Sequence, residues 1–166
     1  MLELLVTLAV LAVLLAVGTP AYRNFSLNLR LEAATSRLVS DLRFARQAAV
    51  DGGGRVALCP GDARSGCRAT PDWQFGWILF RDENGDRAWQ ADEELLRASP
   101  LLQGITARAS AARRVLSFFP NGSAPGSNVT VWFCDARGPA EGRQVRLGLS
   151  GRIRSTRARD GGPQGC

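Results

Sequence analysis

The sequence contains no lysine and no histidine among its 166 residues. Without histidine, the commonest general base near neutral pH and the commonest metal ligand are missing. That excludes histidine-dependent catalytic triads and His-bearing zinc sites. Without lysine, all 21 cations behind the formal net charge of +6 are arginines. Their guanidinium groups stay charged at any relevant pH and form forked bonds to oxyanions. Only four cysteines occur, none spaced Cys-x-x-Cys, so neither a zinc ribbon nor a thioredoxin-type centre is indicated. Carboxylates remain as the main catalytic option, and the adjacent pair Glu93 and Glu94 would point to opposite faces of a strand. No catalytic residue, cofactor or metal ligand is therefore assigned.

What is present is unevenly distributed. Residues 51–100 carry six Arg against nine acids, whereas residues 101–166 carry ten Arg against three acids. Arg143, Arg146, Arg152, Arg154, Arg157 and Arg159 crowd toward the C-terminus, a patch suited to an anionic partner. The even cysteine count, behind a membrane-type N-terminus, points to two disulfides and an extracytoplasmic location. Three connectivities are available. The favoured one joins Cys59 to Cys67 across a short loop and Cys134 to Cys166, fastening the tail to a strand.

Residues 4–17 are apolar except for Thr7, and with their flanks make a helix just long enough to cross a bilayer. A second helical pattern follows over residues 22–50, placing Phe25, Leu29, Leu38, Leu42, Ala45 and Ala49 near one face. Pro20 at the junction is expected to kink the helix rather than end it. The expected domains are a membrane-spanning half at residues 1–21, an amphipathic half at 22–51, and a head at 55–166. The two halves form one helix of about 75 Å. Glu3 sits at its start, where the helix dipole favours negative charge.

The triplet Gly52-Gly53-Gly54 stops the helix. Beyond it lie eight short β-prone runs, near residues 55–59, 75–80, 95–98, 105–109, 115–119, 129–134, 143–149 and 152–156. The fold class is therefore α+β, a long N-terminal helix packed against a small antiparallel β-rich head. In the acidic run at residues 82–86 the glycine falls one position too early for an EF-hand loop and no suitably placed twelfth-position Glu is expected; Asn84-Gly85 reads as a turn between strands. Trp73, Phe75, Trp77, Phe80, Phe118, Phe119, Trp132 and Phe133 lie inside apolar strands, so most belong to the core.

The last two runs predict a hairpin. A two-residue turn at Ser150-Gly151 would set Leu147 opposite Arg154 and mix the faces. A three-residue loop, with Gly151 in the left-handed conformation, pairs Leu147 with Ile153 and Arg146 with Arg154. That register keeps one face apolar but opposes two like charges, which is locally destabilising unless an anion is bound there.

The run Leu2-Glu3-Leu4-Leu5-Val6-Thr7-Leu8-Ala9-Val10-Leu11 resembles the start of a type IV pilin or a type II secretion pseudopilin. Met1 stands where that family has its third mature residue. Leu58-Cys59, Cys67, Trp73-Gln74-Phe75-Gly76-Trp77, Phe80, Asp82, Phe119-Pro120-Asn121-Gly122 and Phe133-Cys134 follow the order of the GspH/FimT type. The resemblance implies a low-abundance filament subunit near the tip, anchored singly in the inner membrane with a periplasmic head. It implies that Glu3 pairs with a neighbouring subunit's N-terminal amine. The implied partners are other pilins or pseudopilins, and prepilin peptidase acting on the precursor. Gly151-Arg152-Ile153-Arg154 matches the Gly-Arg-x-Arg motif of the FimT branch, which binds double-stranded DNA in natural transformation. By that resemblance Arg152 and Arg154 are the leading contacts, with Arg146, Arg157 and Arg159 as electrostatic support. The alternative it leaves open is a structural minor pilin or pseudopilin that binds no DNA.

Overall fold

In a computed structural model of the chain, residues 2–110 and 114–158 are described. Helix α1 (Leu2–Gly52) runs through Pro20 without a break and stops at the glycine triplet, where Gly53 takes a φ of 63°. A left-handed residue just past the last turn is the usual way to end a helix, and glycine adopts it without a Cβ clash. The apolar half of α1, from Leu2 to Leu15, is solvent-exposed. By length and composition it can cross a membrane, with a mean hydropathy of 2.4 over its best window.

The second half of α1 carries the head. Leu31, Ala34, Leu38, Leu42, Ala45 and Ala49 are buried at steps of three and four residues. This is the stripe a 3.6-residue period lays along one face. Phe25 and Leu29, expected on that stripe, are instead 60 % and 52 % exposed. Full burial on the stripe begins at Leu31, so these two side chains lie beyond the stretch of helix that the head covers.

Among the described residues nine strands follow, all paired antiparallel in two sheets. The first sheet contains β1 (Val56–Asp62), β2 (Gly66–Cys67), β3 (Trp77–Arg81), β4 (Leu95–Ser99) and β6 (Leu116–Phe118). Strand β1 pairs with β2, β3 and β6, and β3 with β4. The second sheet has the order β5-β7-β8-β9, from β5 (Thr106–Ala109), β7 (Val129–Asp135), β8 (Gly138–Leu147) and β9 (Ile153–Arg157). All eight expected β-runs contain a strand. The short β2 was not foreseen, and β8 begins earlier than its apolar alternation indicates.

Both sheets share one core with α1. Val56, Leu58, Trp77 and Leu79 of the first sheet join Val131, Phe133, Val145 and Leu147 of the second against the helix stripe. Trp73, Trp77, Phe80, Phe118 and Phe133 are buried as expected, whereas Phe75 is exposed and Trp132 half-buried. On the other face of the first sheet, Ala57, Cys59, Ile78 and Phe80 form a smaller cluster covered by Cys67, Val115 and Trp89. The Cys59–Cys67 disulfide closes this hairpin end. Cys134 is also disulfide-bonded, while Cys166 lies outside the described residues.

Trp89 belongs to the excursion between β3 and β4, residues 82–94, which is longer than a strand-to-strand turn at Asn84-Gly85. Its ring meets Phe80 edge-on, with centroids 5.4 Å apart. Burial, and secondarily the charges of Asp82 and Asp86, push the Glu93 carboxyl above its usual range.

One polar node ties the helix to the first sheet. The buried carboxylate of Asp41 accepts hydrogen bonds from Trp77 Nε1 at 2.8 Å and Ser99 Oγ at 2.9 Å. It also pairs with Arg97 at 3.2 Å, whose guanidinium lies over the Phe44 ring. Removing Asp41 strands a buried indole N–H, so Asp41→Ala should destabilise the chain by about 3 kcal/mol. Asp41→Asn keeps an acceptor for Trp77 and should cost roughly half as much. Denaturant melts of the two variants beside the parent check the order; equal losses would refute this role.

Candidate functional site

Strands β8 and β9 pair Leu147 with Ile153, Arg146 with Arg154 and Arg143 with Arg157. The register expected from the alternation is thus the one observed. A slip of one residue would expose Val145 and Leu147 and bury arginines, so the apolar face dictates the pairing. The loop is closed by the Gly148 amide donating to Arg152 O at 2.9 Å, and the Gly151 amide to Gly148 O at 2.9 Å. Gly151 has a φ of 74°.

The tip of this hairpin is seated on the body. The Ala124 amide donates to Leu149 O at 2.8 Å. Gly151 is buried, and a Cβ added there would overlap the Gly122 carbonyl oxygen and approach Arg46 Nε to 3.2 Å. The glycine of the Gly-Arg-x-Arg stretch therefore serves two steric needs, a left-handed turn and a close backbone approach.

Side chains then divide by face. Arg146 and Arg154 stand on the face of the second sheet away from α1, beside Gln144, whose amide donates to Thr156 Oγ1 at 3.1 Å. Arg143 lies on the helix side and pairs with Glu32 at 3.3 Å. Arg157, opposite Arg143, is exposed. Arg146, Arg152 and Arg154 are exposed as well, and among the described residues none of these four forms an ion pair. Two like-charged pairs are thus held opposite each other, and only Arg143 has a compensating carboxylate.

Two grooves flank the turn. One, of about 400 Å³, is lined by Arg146, Arg152 and Arg154 with Asn128, Thr130 and Ser150. The other, of about 680 Å³, lies between the hairpin and the helix and is lined by Arg43, Arg46 and Arg152 with Gln47 and Ser150. Among the described residues no acidic side chain lines either groove. Arg152 borders both, so the fold brings five arginines from three chain segments around one tip. Such a surface can hold an extended polyanion through phosphate oxygens and presents no recognition helix for base edges.

The sequence reading did not include Arg43 and Arg46. They flank the buried positions Leu42, Ala45 and Ala49, so they border whatever packs on that stripe, which is the signal that could have found them. Arg159 lies outside the described residues. Glu3 is exposed in the first turn of α1, away from the arginine tip.

Replacing Gly151 by alanine forces a Cβ into the left-handed region and against the Gly122 carbonyl. Gly151→Ala should therefore cost about 2 kcal/mol or more. Gly148→Ala, whose Cβ would meet nothing nearer than 3.8 Å, should cost less than about 1 kcal/mol. Thermal or urea melts distinguish the two; an indifferent Gly151→Ala would disprove the seating of the turn.

The family model described as type II transport protein GspH matches residues 34–151. Comparison with curated protein sequences gives no match. Among solved structures, the chain is similar to the type IV minor pilin FimU of Pseudomonas aeruginosa. The TM-score is 0.62 at 22 % identity, covering 84 % of this chain and 97 % of that one. It is also similar to the minor pseudopilin EpsH from the type 2 secretion system of Vibrio cholerae. There the TM-score is 0.56 at 12 % identity, covering 79 % of this chain and 99 % of that one.

Proposed function

Because the chain belongs to the family of type II transport protein GspH, and is a minor pilin or pseudopilin of the GspH/FimT kind, we propose that it is a minor type IV pilin that captures extracellular double-stranded DNA for uptake in natural transformation. One observation carries this reading: Arg146, Arg152 and Arg154 are exposed and converge at a turn where, among the described residues, they have no ion-pair partner and no carboxylate lines the grooves. Arg43 and Arg46 extend the surface across the helix, Arg157 adds charge at its margin, and Arg159, outside the described residues, adds to the basic character of the same chain segment. Guanidinium groups grip phosphate oxygens in forked pairs, releasing counterions, so binding is salt-sensitive and indifferent to base sequence. Gly151 acts by placing the turn. The apolar half of α1 anchors the subunit in the inner membrane and then in the filament. In that filament Glu3 meets the N-terminal amine of a neighbouring subunit.

A second reading has its own support. The exposed apolar half of α1 suits lateral packing among like helices. A structural tip subunit of a pilus or a type II secretion pseudopilus would need only that. The two readings part on DNA affinity.

The test is a gel-shift titration of the full chain in non-ionic detergent against random-sequence duplex DNA at several salt concentrations. The double variant Arg152→Ala/Arg154→Ala should weaken binding about tenfold and lower the log–log salt slope by about two. Arg43→Ala or Arg46→Ala should each weaken it about threefold. Binding equal to the parent in the double variant refutes the site. No affinity in the parent selects the structural reading.

A further inference from the structure

The excursion from β3 to β4 holds two buried carboxylate oxygens that nothing satisfies. Asp82 is 1 % exposed, and its Oδ2 has no hydrogen-bond partner; Oε1 of Glu93 is buried and unpartnered too. A buried charged oxygen without a partner is costly, and native structures keep such groups for a reason. The neighbouring arginines do not supply one. Arg55 donates to Gly85 O, Arg87 to Pro125 O, and Arg81 pairs with Glu94. Among the described residues no ion pair includes Asp82, Asp86 or Glu93.

The spacing of oxygen donors says what is missing. Counted from Asp82, Asn84 is third, Asp86 fifth, Ala88 seventh, Gln90 ninth and Glu93 twelfth. That is the donor series of a twelve-residue calcium loop, the seventh position contributing its backbone carbonyl. Counted from Asp82, the twelfth-position glutamate not expected from the sequence is Glu93. The sixth position, where such loops turn sharply and favour glycine, is Arg87, and its φ of 64° makes it the one non-glycine residue with positive φ among those described. The loop neck is pinched by the Arg81 amide donating to Glu94 O at 2.9 Å, which holds the first and twelfth donors side by side. Asp82 Oδ1 accepts from the Arg87 amide at 3.4 Å, and Glu93 Oε2 from the Gln90 amide at 3.1 Å. Each carboxylate is therefore turned into the loop with its second oxygen left over.

We propose that residues 82–93 form a calcium-binding site in which Asp82, Asp86 and Glu93 supply the charge, and Asn84, Gln90 and the Ala88 carbonyl complete an all-oxygen shell. Oxygen-only donors with no nitrogen or sulfur suit a hard cation and disfavour zinc or copper. A flexible, many-membered loop favours calcium over magnesium, which demands a near-ideal octahedron. Among the described residues no three acidic side chains already converge to grip an ion. Asp86 is turned aside, its Oδ1 accepting from the Ala88 amide at 2.7 Å and its Oδ2 from Gln90 Nε2 at 2.6 Å. Binding rotates the exposed Asp86 inward and exchanges the Gln90 amide nitrogen for its oxygen. The site is built on the first sheet and uses none of the arginines proposed to bind DNA, so calcium binding and DNA binding are read out separately.

The experiment uses the full chain in detergent, stripped with a chelator and titrated with calcium chloride by calorimetry. Terbium luminescence, sensitised by Trp89 at the eighth position, provides a local optical signal. A single site is expected, with a Kd of about 10⁻⁴–10⁻³ M, the range of extracellular modules. Glu93→Gln and Asp86→Asn should each weaken calcium binding about tenfold or more. Asp92→Asn, exposed at the eleventh position, should change it less than about twofold, and Trp89→Phe should dim terbium emission. Circular dichroism confirms that each variant folds, and the exposed Asp86 serves where Glu93→Gln does not. Absence of saturable heat up to about 10 mM calcium overturns the proposal. So does parental affinity in Asp86→Asn, or equal competition by magnesium.

Discussion

A single stripe of apolar side chains on α1, from Leu31 to Ala49, is the floor on which both sheets rest. Neither sheet buries its inner face without it. The first sheet sends Val56, Leu58, Trp77 and Leu79 to that stripe, and the second sends Val131, Val145 and Leu147. Asp41 sits beside the stripe and fixes how the first sheet lies on it, because the Trp77 indole and the Ser99 hydroxyl find their acceptor there. Area burial alone is non-directional; the carboxylate adds direction.

The arginine tip follows from that arrangement. Strand β8 contacts the helix, β9 follows β8, and the loop between them is carried onto Gly122 and Arg46, where only a residue without a Cβ fits. The guanidinium groups of Arg146, Arg152 and Arg154 therefore project from a rigid hairpin and not from a free tail. Holding like charges opposite each other opposes folding. The head tolerates it because Leu147 and Ile153 lock the same register from the other face. The conflict between a satisfied apolar face and an unsatisfied polar one is the pattern expected where function, not stability, selects the residues.

Much of this was legible in the sequence, for identifiable reasons. The β8–β9 register could be derived because apolar and charged residues alternate strictly there, and a slip of one inverts every side chain. The helix end was legible from three consecutive glycines. The contribution of Arg43 and Arg46 was not, since more than a hundred residues separate Arg46 from Gly151 and only the packed fold joins them. Phe25 and Leu29 continue the helical period, yet where a stripe stops being covered depends on the size of the body above it. The backbone of the loop at residues 82–93 was not legible, because Arg87 takes up a left-handed conformation that its residue type does not announce.

That loop also lays Trp89 over Phe80 and shields the outer face of the first sheet. The head thus has two lids, a helix within and a loop without, and the arginine turn belongs to the first. Arg43 and Arg46 ride on the same uninterrupted α1 that begins at Leu2. One unbroken shaft thus couples the bearing of the cationic tip to that of the apolar end: turning the one about the helix axis turns the other.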